Sequence, residues 1–174
     1  LKDQGDVFHP RTGELLKPKP LGDQEFDLTV FDDPRIALAN WMTDRGNPYF
    51  ATTMANRMWA HFFSRGIVHP VDDRRSTNPP SKPGLLTALE TSFTDSGYDI
   101  KHLIRLICNS YAYQLTSVPN GNNASDQKSF ARFYPRRMSA EILLDAVSQS
   151  LEVPTIFPGG PGKFPEGSRA IELP

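Results

Sequence analysis

Five polar residues in and after one predicted helix form the part of this sequence that could do chemistry. Arg57 and His61 are four residues apart, so they lie one above the other on the surface of a helix. Asp72 and Asp73 follow in a proline-rich loop that could bring their carboxylates to the same surface. A histidine beside a carboxylate can act as a general base, or bind a metal through its neutral ring. We call this set the polar ridge: Asn56, Arg57, His61, Asp72 and Asp73.

The polar ridge also has a purely structural interpretation. Loop charges are mostly solvated, and surface ion pairs with Arg74 and Arg75 would each contribute only about 0–1 kcal/mol. His61 and His69 do not have a recognised metal-ligand spacing, and no His-Glu-x-x-His pattern occurs. The single cysteine, Cys108, excludes an intrachain disulfide and a cysteine-cluster metal site. The sequence therefore predicts neither a metal site nor a cofactor, and both interpretations of the ridge stay open.

A second candidate site is a basic cluster of Arg132, Arg136 and Arg137. Aromatic residues stand between these arginines, and such a pattern can hold single-stranded nucleic acid or another anionic polymer. The net charge of −1 argues against a nucleic-acid partner, because the chain has no attractive overall field. A simpler interpretation is an ion pair between Arg137 and Glu141 at a helix start. No Gly-x-Ser-x-Gly context for a serine nucleophile is present.

The helix that must position the polar ridge carries its own start and stop signals. Asn47 is a good N-cap, and Pro48 suits the first helical position, where a missing N–H costs nothing. Apolar residues then recur with the period of one helix face as far as Phe62. Gly66 follows, where a left-handed residue can close the helix. We therefore expect this helix to bury a broad apolar face and to expose the ridge.

The remaining chain is predicted to form short helices joined by stiff loops, because it contains sixteen prolines and twelve glycines. Residues 7–22 have the pattern of a two-strand hairpin, and residues 153–174 that of an irregular tail rich in Pro and Gly. Short polar residues that precede apolar periods mark the helix starts. The predicted N-caps of these other helices are Asp33, Ser81, Asp99, Asp126 and Ser139.

Together these patterns predict a mainly α fold, a compact orthogonal helical domain of five or six helices with a small N-terminal β-hairpin. A chain of 174 residues suits a single domain, and 38% hydrophobic with 22% charged residues is ordinary for a globular protein. No apolar run approaches the roughly 18 residues that cross a bilayer, so we expect no membrane insertion by this segment. The predicted core residues are Trp41, Met58, Trp59, Phe62, Leu89, Phe93, Ile104, Ile107 and Ile142.

The sequence resembles a known family over nearly its whole length. The matching runs, in consistent order, are VFHPRTGELLKPKPLG, ALANWMTDRGNPYFA, NRMWAHFFSRGIVHPVDD, NPPSKPGLL, SGYDIKHLIRLICNSYAYQLTS and FARFYPRRMSAEILLDAVSQ. They are similar to the planctomycete-type conserved domain of unknown function numbered fifteen-fifty-three, also called the PSD domain. One departure is Gly84, where the family commonly has an acidic residue that would complete a capping box with Ser81. We expect the glycine to leave that helix start looser.

The resemblance implies a setting but no catalytic residues. Family members are usually large exported proteins, often with a cytochrome-c-like domain near the N-terminus and this domain toward the C-terminus. The resemblance thus implies a periplasmic or cell-envelope location. It also implies a fragment of a longer multidomain protein, which the abrupt start at Leu1 suggests as well. No residue role is established for the family, so none is carried over.

Three functions stay open at this point. The first is a non-catalytic interaction or structural module, whose partners would be other domains of the same chain or another protein. The second is an extracytoplasmic enzyme, a hydrolase that acts on complex polysaccharide through the polar ridge. The third is a docking domain for a cytochrome-c-like partner domain. Because no catalytic pattern is present, the first is favoured.

Overall fold

The computed structural model describes residues 7–21, 30, 33–157, 164 and 168–173. The chain divides into two units, Leu1–Phe133 and Tyr134–Pro174. Among the described residues, the first unit contains a short β-ladder and four α-helices, and the second contains one α-helix and a 3₁₀ turn. That residues 1–174 form a single domain stays a prediction.

A small antiparallel ladder opens the described part of the first unit. Strand β1, Val7–Phe8, pairs with strand β2, Leu15–Leu16. Gly13 between them has a φ of +72°, a left-handed conformation that glycine adopts at little cost, and this allows the chain to reverse. The N-terminal hairpin predicted for residues 7–22 is confirmed, with residue 22 itself outside the described part.

Five α-helices provide most of the regular structure in the described residues. Their bounds are α1 Pro34–Thr43, α2 Phe50–Phe63, α3 Pro83–Asp95, α4 Ile100–Cys108 and α5 Ala140–Leu151. The predicted mainly α fold, with five helices and a small two-strand ladder, is confirmed. The helices could be predicted from the periodic spacing of apolar residues, because a helix that buries only one face has apolar residues at that spacing.

Three of the predicted N-caps hold the first turn of their helices. The Asp33 carboxylate accepts a hydrogen bond of 2.9 Å from the backbone N–H two residues further on, at the start of α1. Asp99 does the same for α4 at 2.8 Å. The Ser139 hydroxyl accepts from the N–H three residues further on, at 3.4 Å, and begins α5. Each cap satisfies an N–H that has no partner within the helix.

Helix α2 begins two residues later than the prediction, which placed its first residue at Pro48. The helix begins at Phe50, and Pro48 precedes it instead of occupying its first position. Asn47 still organises this start, because its Oδ1 accepts hydrogen bonds from the backbone N–H groups of Tyr49 at 2.8 Å and Phe50 at 3.0 Å. Its Nδ2 donates to the carbonyl of Trp41 at 2.8 Å. One buried side chain therefore ties the end of α1 to the start of α2.

The end of α2 also differs from the prediction. Ser64, with a φ of +62°, takes the left-handed conformation that was assigned to Gly66. Position 66 needs a glycine for a different reason, because neighbouring atoms leave no room for a side chain there. A Cβ atom there would lie 2.2 Å from the carbonyl oxygen of Val68 and 3.0 Å from both amide atoms of Asn56. No real Cβ contact is that short, so the loop after α2 can approach the helix only at a glycine.

Ser81 does not cap α3, contrary to the prediction. Its backbone N–H and its hydroxyl both donate to the carbonyl of Ile67, at 2.8 and 2.9 Å. Helix α3 instead begins after Lys82, and no side chain caps it. Ser81, the predicted N-cap, therefore binds the loop that follows α2 instead of the first turn of α3.

The short helix predicted after Asp126 does not form. The Asp126 carboxylate accepts hydrogen bonds from the backbone N–H groups of Lys128 at 3.0 Å and Ser129 at 3.1 Å, which closes a turn. Phe130 then takes a φ of +55°, a left-handed conformation that cannot continue a right-handed helix. An aspartate can cap a turn as well as a helix, and here the turn is the outcome.

The core of the first unit is built on an aromatic cluster. The Trp59 and Phe63 rings stack with their centroids 4.1 Å apart, and the ring of Phe130 meets both of them edge-on. Of the predicted core residues, Trp59, Leu89, Phe93 and Ile107 are buried, whereas Trp41, Met58, Phe62 and Ile104 are half-buried. Buried residues that the sequence analysis did not select include Phe63, Ile67, Val68, Leu103 and Phe130.

The second unit is organised differently from the prediction. Ile142 was predicted to lie in the core, yet 46% of it is exposed, and α5 contains no buried residue. Asp145 of α5 instead accepts hydrogen bonds from the backbone N–H groups of Ala170 at 2.6 Å and Ile171 at 3.1 Å. These residues begin a 3₁₀ turn, Ala170–Glu172, in the tail that was predicted to be irregular. Asp145 thus supplies acceptors for amides at the start of that turn.

Replacing Trp59 by alanine should lower the free energy of unfolding by roughly 3–5 kcal/mol, because the change deletes a large side chain from the centre of the aromatic cluster. Equilibrium urea unfolding would measure the loss. The matched control is Trp41→Ala, which removes a half-buried indole and should cost less. A loss below about 1 kcal/mol for Trp59→Ala would contradict this packing.

Candidate functional site

The structure brings one pair of polar-ridge residues together. Arg57 lies on α2 and Asp72 in the following loop, and the Arg57 Nη2 atom is 2.7 Å from the Asp72 Oδ1 atom. Both side chains are more than half exposed, at 54% and 66%. Water screens such a pair, so its contribution to stability is about 0–1 kcal/mol. The predicted approach of a loop carboxylate to Arg57 is therefore present, as a solvent-exposed ion pair.

Asp73 is held by a different arginine. The Arg75 Nε and Nη2 atoms each donate to one oxygen of the Asp73 carboxylate, both at 2.7 Å. This two-pronged hydrogen bond to the Arg75 side chain holds the pKa of Asp73 below its usual range. A carboxylate with a lowered pKa stays ionised at neutral pH and has no proton to donate. Asp73 therefore lacks the property that a general acid needs.

Asn56 is a buried structural residue and does not lie on an exposed polar face. It has no exposed surface, although it is polar. Its Nδ2 atom donates to the carbonyls of Val68 and Val71, each at 3.0 Å, and its Oδ1 atom accepts from the Val68 N–H at 2.9 Å. The carboxamide thus replaces the backbone partners that a buried loop would otherwise lack. We call this arrangement the Asn56 clamp.

The ring of His61 is exposed and meets the Phe62 ring edge-on, with the centroids 5.0 Å apart. Within the described part of the chain, no group of three or more His, Cys, Asp or Glu side chains is placed to hold a metal ion. That the polar ridge acts as a functional site stays a prediction.

The three arginines of the basic cluster belong to two units. Arg132 is half-buried in the first unit, and its Nη1 atom donates to the carbonyl of Ser117 at 3.4 Å. Arg136 and Arg137 are exposed residues of the second unit. Function of the cluster as one site stays a prediction as well.

A surface hollow that the sequence analysis missed lies where α1 ends and α2 begins. It has a volume of about 410 Å³. The rings of Trp41 and Tyr49 lie against each other in its wall, with centroids 6.2 Å apart. Met42 and Tyr49 remain 36% and 37% exposed, so part of each side chain is accessible to a partner. We call this hollow the aromatic cleft; its lining residues are Leu21, Trp41, Met42, Asn47, Tyr49, Phe50, Thr53, Met54 and Arg57.

Cationic side chains border the aromatic cleft. Arg57 belongs both to the cleft and to the polar ridge. The Arg74 Nη1 atom donates to the hydroxyl of Thr53, another lining residue, at 3.4 Å. The available sequence signal was the run of aromatic and methionine residues on both sides of Gly46. Of these residues the sequence analysis selected only Trp41, and as a core residue, because helical periodicity does not reveal how deeply a face is buried.

A serine and a histidine form a hydrogen bond on the surface of α3 and α4. The Ser92 hydroxyl oxygen and the His102 Nε2 atom are 2.9 Å apart. Asp95 lines the same shallow hollow, but its nearest cationic partner is Arg45, at 3.8 Å. A Ser–His pair is the beginning of a nucleophile and its base, and a third group that orients the histidine is also needed. The pair was missed because its members are ten residues apart on two helices.

The second unit has a hollow of its own, of about 580 Å³, between α5 and the 3₁₀ turn. Its polar groups are engaged with each other. Asp145 accepts hydrogen bonds from two backbone amides, and the hydroxyls of Ser148 and Thr155 are 2.7 Å apart. Arg169 pairs with Glu172 at 2.8 Å. These contacts hold the tail on α5 and assign no chemistry to the hollow.

Comparison with known proteins places the chain in a family without a described activity. The family model PSD1, "Protein of unknown function (DUF1553)", matches residues 34–170, which is well over half of the chain. No curated protein and no solved structure matches the chain. The resemblance to domain fifteen-fifty-three is thereby confirmed; the planctomycete setting and the C-terminal position stay predictions. In the part of the chain that the structure describes, no helix is both long and apolar enough to span a bilayer.

Replacing Asn56 by alanine should lower the free energy of unfolding by about 3 kcal/mol, because two carbonyls and one N–H of the buried loop lose their partner. Arg57→Ala, on the neighbouring residue, should cost no more than about 1 kcal/mol, because it breaks only an exposed ion pair. Urea unfolding of both variants checks the contrast. Equal losses would show that the Asn56 clamp does not hold the loop.

Proposed function

This chain belongs to the PSD1 family of proteins of unknown function (DUF1553), and we propose that it acts as a non-catalytic interaction module. Its binding surface is the aromatic cleft. Its partner is a protein segment, in another domain of the same chain or in another protein, that presents an apolar side chain beside an acidic one. The observation that carries this proposal is the group of large, half-exposed apolar side chains around an open hollow next to arginines.

The composition of the aromatic cleft supports a protein partner. Trp, Tyr, Met and Arg are enriched at the centres of protein interfaces, where rigid aromatic groups bury much area at a small cost in conformational entropy. Here Trp41 and Tyr49 provide the aromatic groups, and Met42 and Met54 provide the methionines. The volume of about 410 Å³ suits one or two apolar side chains of a partner.

The charges at the edge of the aromatic cleft support an acidic neighbour in the partner. Arg57 is paired with Asp72, but Arg74 forms no ion pair among the described residues. A carboxylate placed beside Arg74 would gain a charge-assisted hydrogen bond. This gives the partner a defined chemistry: an apolar residue that fills the hollow, and Asp or Glu close to it.

The non-catalytic character is supported by the polar ridge itself. Asp72 and Asp73 are paired with two separate arginines, Arg57 and Arg75. Glycoside hydrolysis needs one carboxyl group that keeps its proton, and the Arg75 side chain lowers the pKa of Asp73 instead. Asn56 is occupied by the Asn56 clamp. These residues are accounted for by structural roles.

The setting of the module is part of the same proposal. An extracytoplasmic location, within a longer multidomain protein, rests on the family resemblance alone. A cytochrome-c-like domain is one partner that this setting offers, and polysaccharide is another. Fractionation of cells, with an antibody against this domain, would test the location. Recovery in the cytoplasmic fraction would contradict it.

Selection of a random peptide library displayed on phage against the 174-residue chain should enrich an apolar residue next to Asp or Glu. Met42→Asp should weaken the binding of such a peptide at least about tenfold, because it places a charge in the aromatic cleft. Ile36→Asp is the matched control, since Ile36 is an exposed apolar residue of α1 that does not line the cleft. Its affinity should stay unchanged. Arg74→Glu should reverse the preference for acidic peptides.

The proposal fails if no such motif is enriched, or if Ile36→Asp weakens binding as much as Met42→Asp. The same variants on an oligosaccharide array separate the alternative ligand. Saturable binding to a polysaccharide that Met42→Asp abolishes and Ile36→Asp preserves would show that the aromatic cleft binds carbohydrate instead of a peptide.

The second candidate function is a hydrolase acting on complex polysaccharide, and the bond between Ser92 and His102 is the observation that favours an enzyme. In such an enzyme His102 would take the Ser92 proton while the serine oxygen attacks an ester carbonyl of the polysaccharide. The ester C–O bond would break as His102 passes the proton to the departing polysaccharide hydroxyl, which leaves an acyl-enzyme on Ser92. Water, giving a proton to His102, would then release the acid, and that proton would return to Ser92.

We expect this alternative to fail in a direct assay. The chain should hydrolyse p-nitrophenyl acetate no faster than its His102→Ala variant does, because no described carboxylate is hydrogen-bonded to the His102 ring; Asp99 accepts only from the backbone N–H of His102. The control is His61→Ala, which removes an exposed histidine elsewhere. If His102→Ala loses about a hundredfold or more in rate while His61→Ala loses nothing, the enzyme is supported and the interaction module is not.

A further inference from the structure

A second pocket, separate from the aromatic cleft, lies at the start of α3. Its volume is about 360 Å³, and it shares no lining residue with the aromatic cleft. Most of its wall is apolar. We call it the α3 pocket; its lining residues are Trp59, Lys82, Pro83, Gly84, Leu85, Ala112, Ser129 and Phe130.

The first turn of α3, which lines the α3 pocket, contains backbone N–H groups without an acceptor among the described residues. No side chain caps the helix, because Ser81 is bound to the loop and Lys82 has no suitable acceptor atom. The N–H of Leu86 is already bonded to the carbonyl of Lys82 at 3.1 Å. The N–H groups of Gly84 and Leu85 have no acceptor in the described structure. A 13-residue helix that starts in this way presents partial positive charge at its N-terminus.

Trp59, which also lines this pocket, carries a second donor without an acceptor in the described part of the chain. The residue is only 2% exposed, and its Nε1–H has no acceptor in the described part of the chain. An indole N–H can only donate, and buried donors without an acceptor are rare in folded proteins. Trp59 also lines the α3 pocket. A ligand acceptor in this pocket would satisfy a group that the fold itself leaves unsatisfied.

The charges around the α3 pocket favour an anion. Among the described residues that line it, Lys82 is the only charged one. The acid that interacts with Lys82 electrostatically is Asp126, whose Oδ1 atom already accepts hydrogen bonds from the backbone of Lys128 and Ser129. No described Asp or Glu lines the pocket itself. Asp126 therefore acts on Lys82 from outside the lining, where its carboxylate is also held by two backbone amides.

We propose that the α3 pocket binds a small carboxylate that carries a short apolar body. The carboxylate oxygens accept hydrogen bonds from Trp59 Nε1–H and from the free backbone N–H groups of α3. The apolar body packs against Pro83, Leu85 and Phe130. A free carboxylic acid and the C-terminus of a peptide share this chemistry, and the test separates the two sources.

Gly84 makes the pocket accessible and also provides a way to close it. A Cβ atom at Gly84 would have nothing within 4 Å, so larger side chains fit there without strain. A glutamate at this position, in the first turn of α3, suits the helix dipole and places its own carboxylate beside the free N–H groups. Gly84→Glu should therefore keep the fold and block the ligand.

The binding test uses ¹H–¹⁵N spectra of the 174-residue chain titrated with 4-methylpentanoate. Only two indole N–H signals exist, from Trp41 and Trp59, so the reporter can be assigned by substitution. We expect saturable shifts of the Trp59 indole and of the Gly84 and Leu85 amides, with the Trp41 indole unchanged. The neutral isostere 4-methylpentanamide should bind at least about tenfold more weakly, because hydrogen bonds to a charged acceptor are stronger.

Variants with a matched charge change decide whether the site is the α3 pocket. Gly84→Glu should weaken 4-methylpentanoate at least about tenfold, while Gly121→Glu, the same change at an open loop position, should leave the affinity unchanged. Trp59→Phe keeps an aromatic ring, removes the N–H, and should also weaken binding. Circular dichroism confirms that each variant is folded.

Titration of N-acetylated dipeptides ending in leucine, with free or amidated C-termini, identifies the source of the carboxylate. Tighter binding of the free-terminus dipeptide than of 4-methylpentanoate assigns the pocket to peptide C-termini, and the reverse assigns it to small acids. The proposal is overturned if the Trp59 indole and α3 amides do not shift. It is also overturned if the amide binds as well as the acid, or if Gly84→Glu binds as the unaltered chain does.

Discussion

The Asn56 clamp is the interaction on which the rest of the first unit depends. Its fully buried carboxamide satisfies both backbone groups of Val68 and the carbonyl of Val71. The clamp can close only because position 66 is glycine, since a Cβ there would collide with the carbonyl of Val68. A buried polar contact of this kind is costly unless every group is paired, so it specifies one path for the loop.

The path of this loop determines which hydrogen-bonding groups elsewhere in the unit have a partner and which do not. The loop carries Asp72 to Arg57, where the two charges neutralise each other at the surface. It also presents the carbonyl of Ile67, which takes both donors of Ser81 and so withdraws the N-cap expected for α3. The free N–H groups at the start of α3 are a consequence of the clamp, together with the open position at Gly84. One buried amide on α2 is thus connected to the chemistry of the α3 pocket.

Local sequence patterns predicted the features that depend on interactions between residues close together in the sequence. The caps at Asp33, Asp99 and Ser139 and the helix periods were found in this way, because each involves neighbours within four residues, and the hairpin pairs residues at most nine apart. Two of the misassignments involve partners far away in the sequence. Asn56 bonds to residues 12 and 15 positions away, and Ser81 to one 14 positions away. Likewise, the apolar face of α5 has the period of a core helix, but a period does not state what covers it.

The proposed binding sites contain mostly other residues than the polar ridge, for a related reason. The sequence directs attention to charged and titratable residues, and the polar ridge contains most of those near the central helix. In the structure, however, Asp72 and Asp73 are each neutralised by an arginine, Arg57 and Arg75 respectively. The groups whose bonding capacity is unused are less conspicuous in a sequence: an indole N–H, two backbone amides and a row of half-exposed aromatic and methionine side chains. Binding gains most from such groups, because a ligand that satisfies them displaces no internal partner.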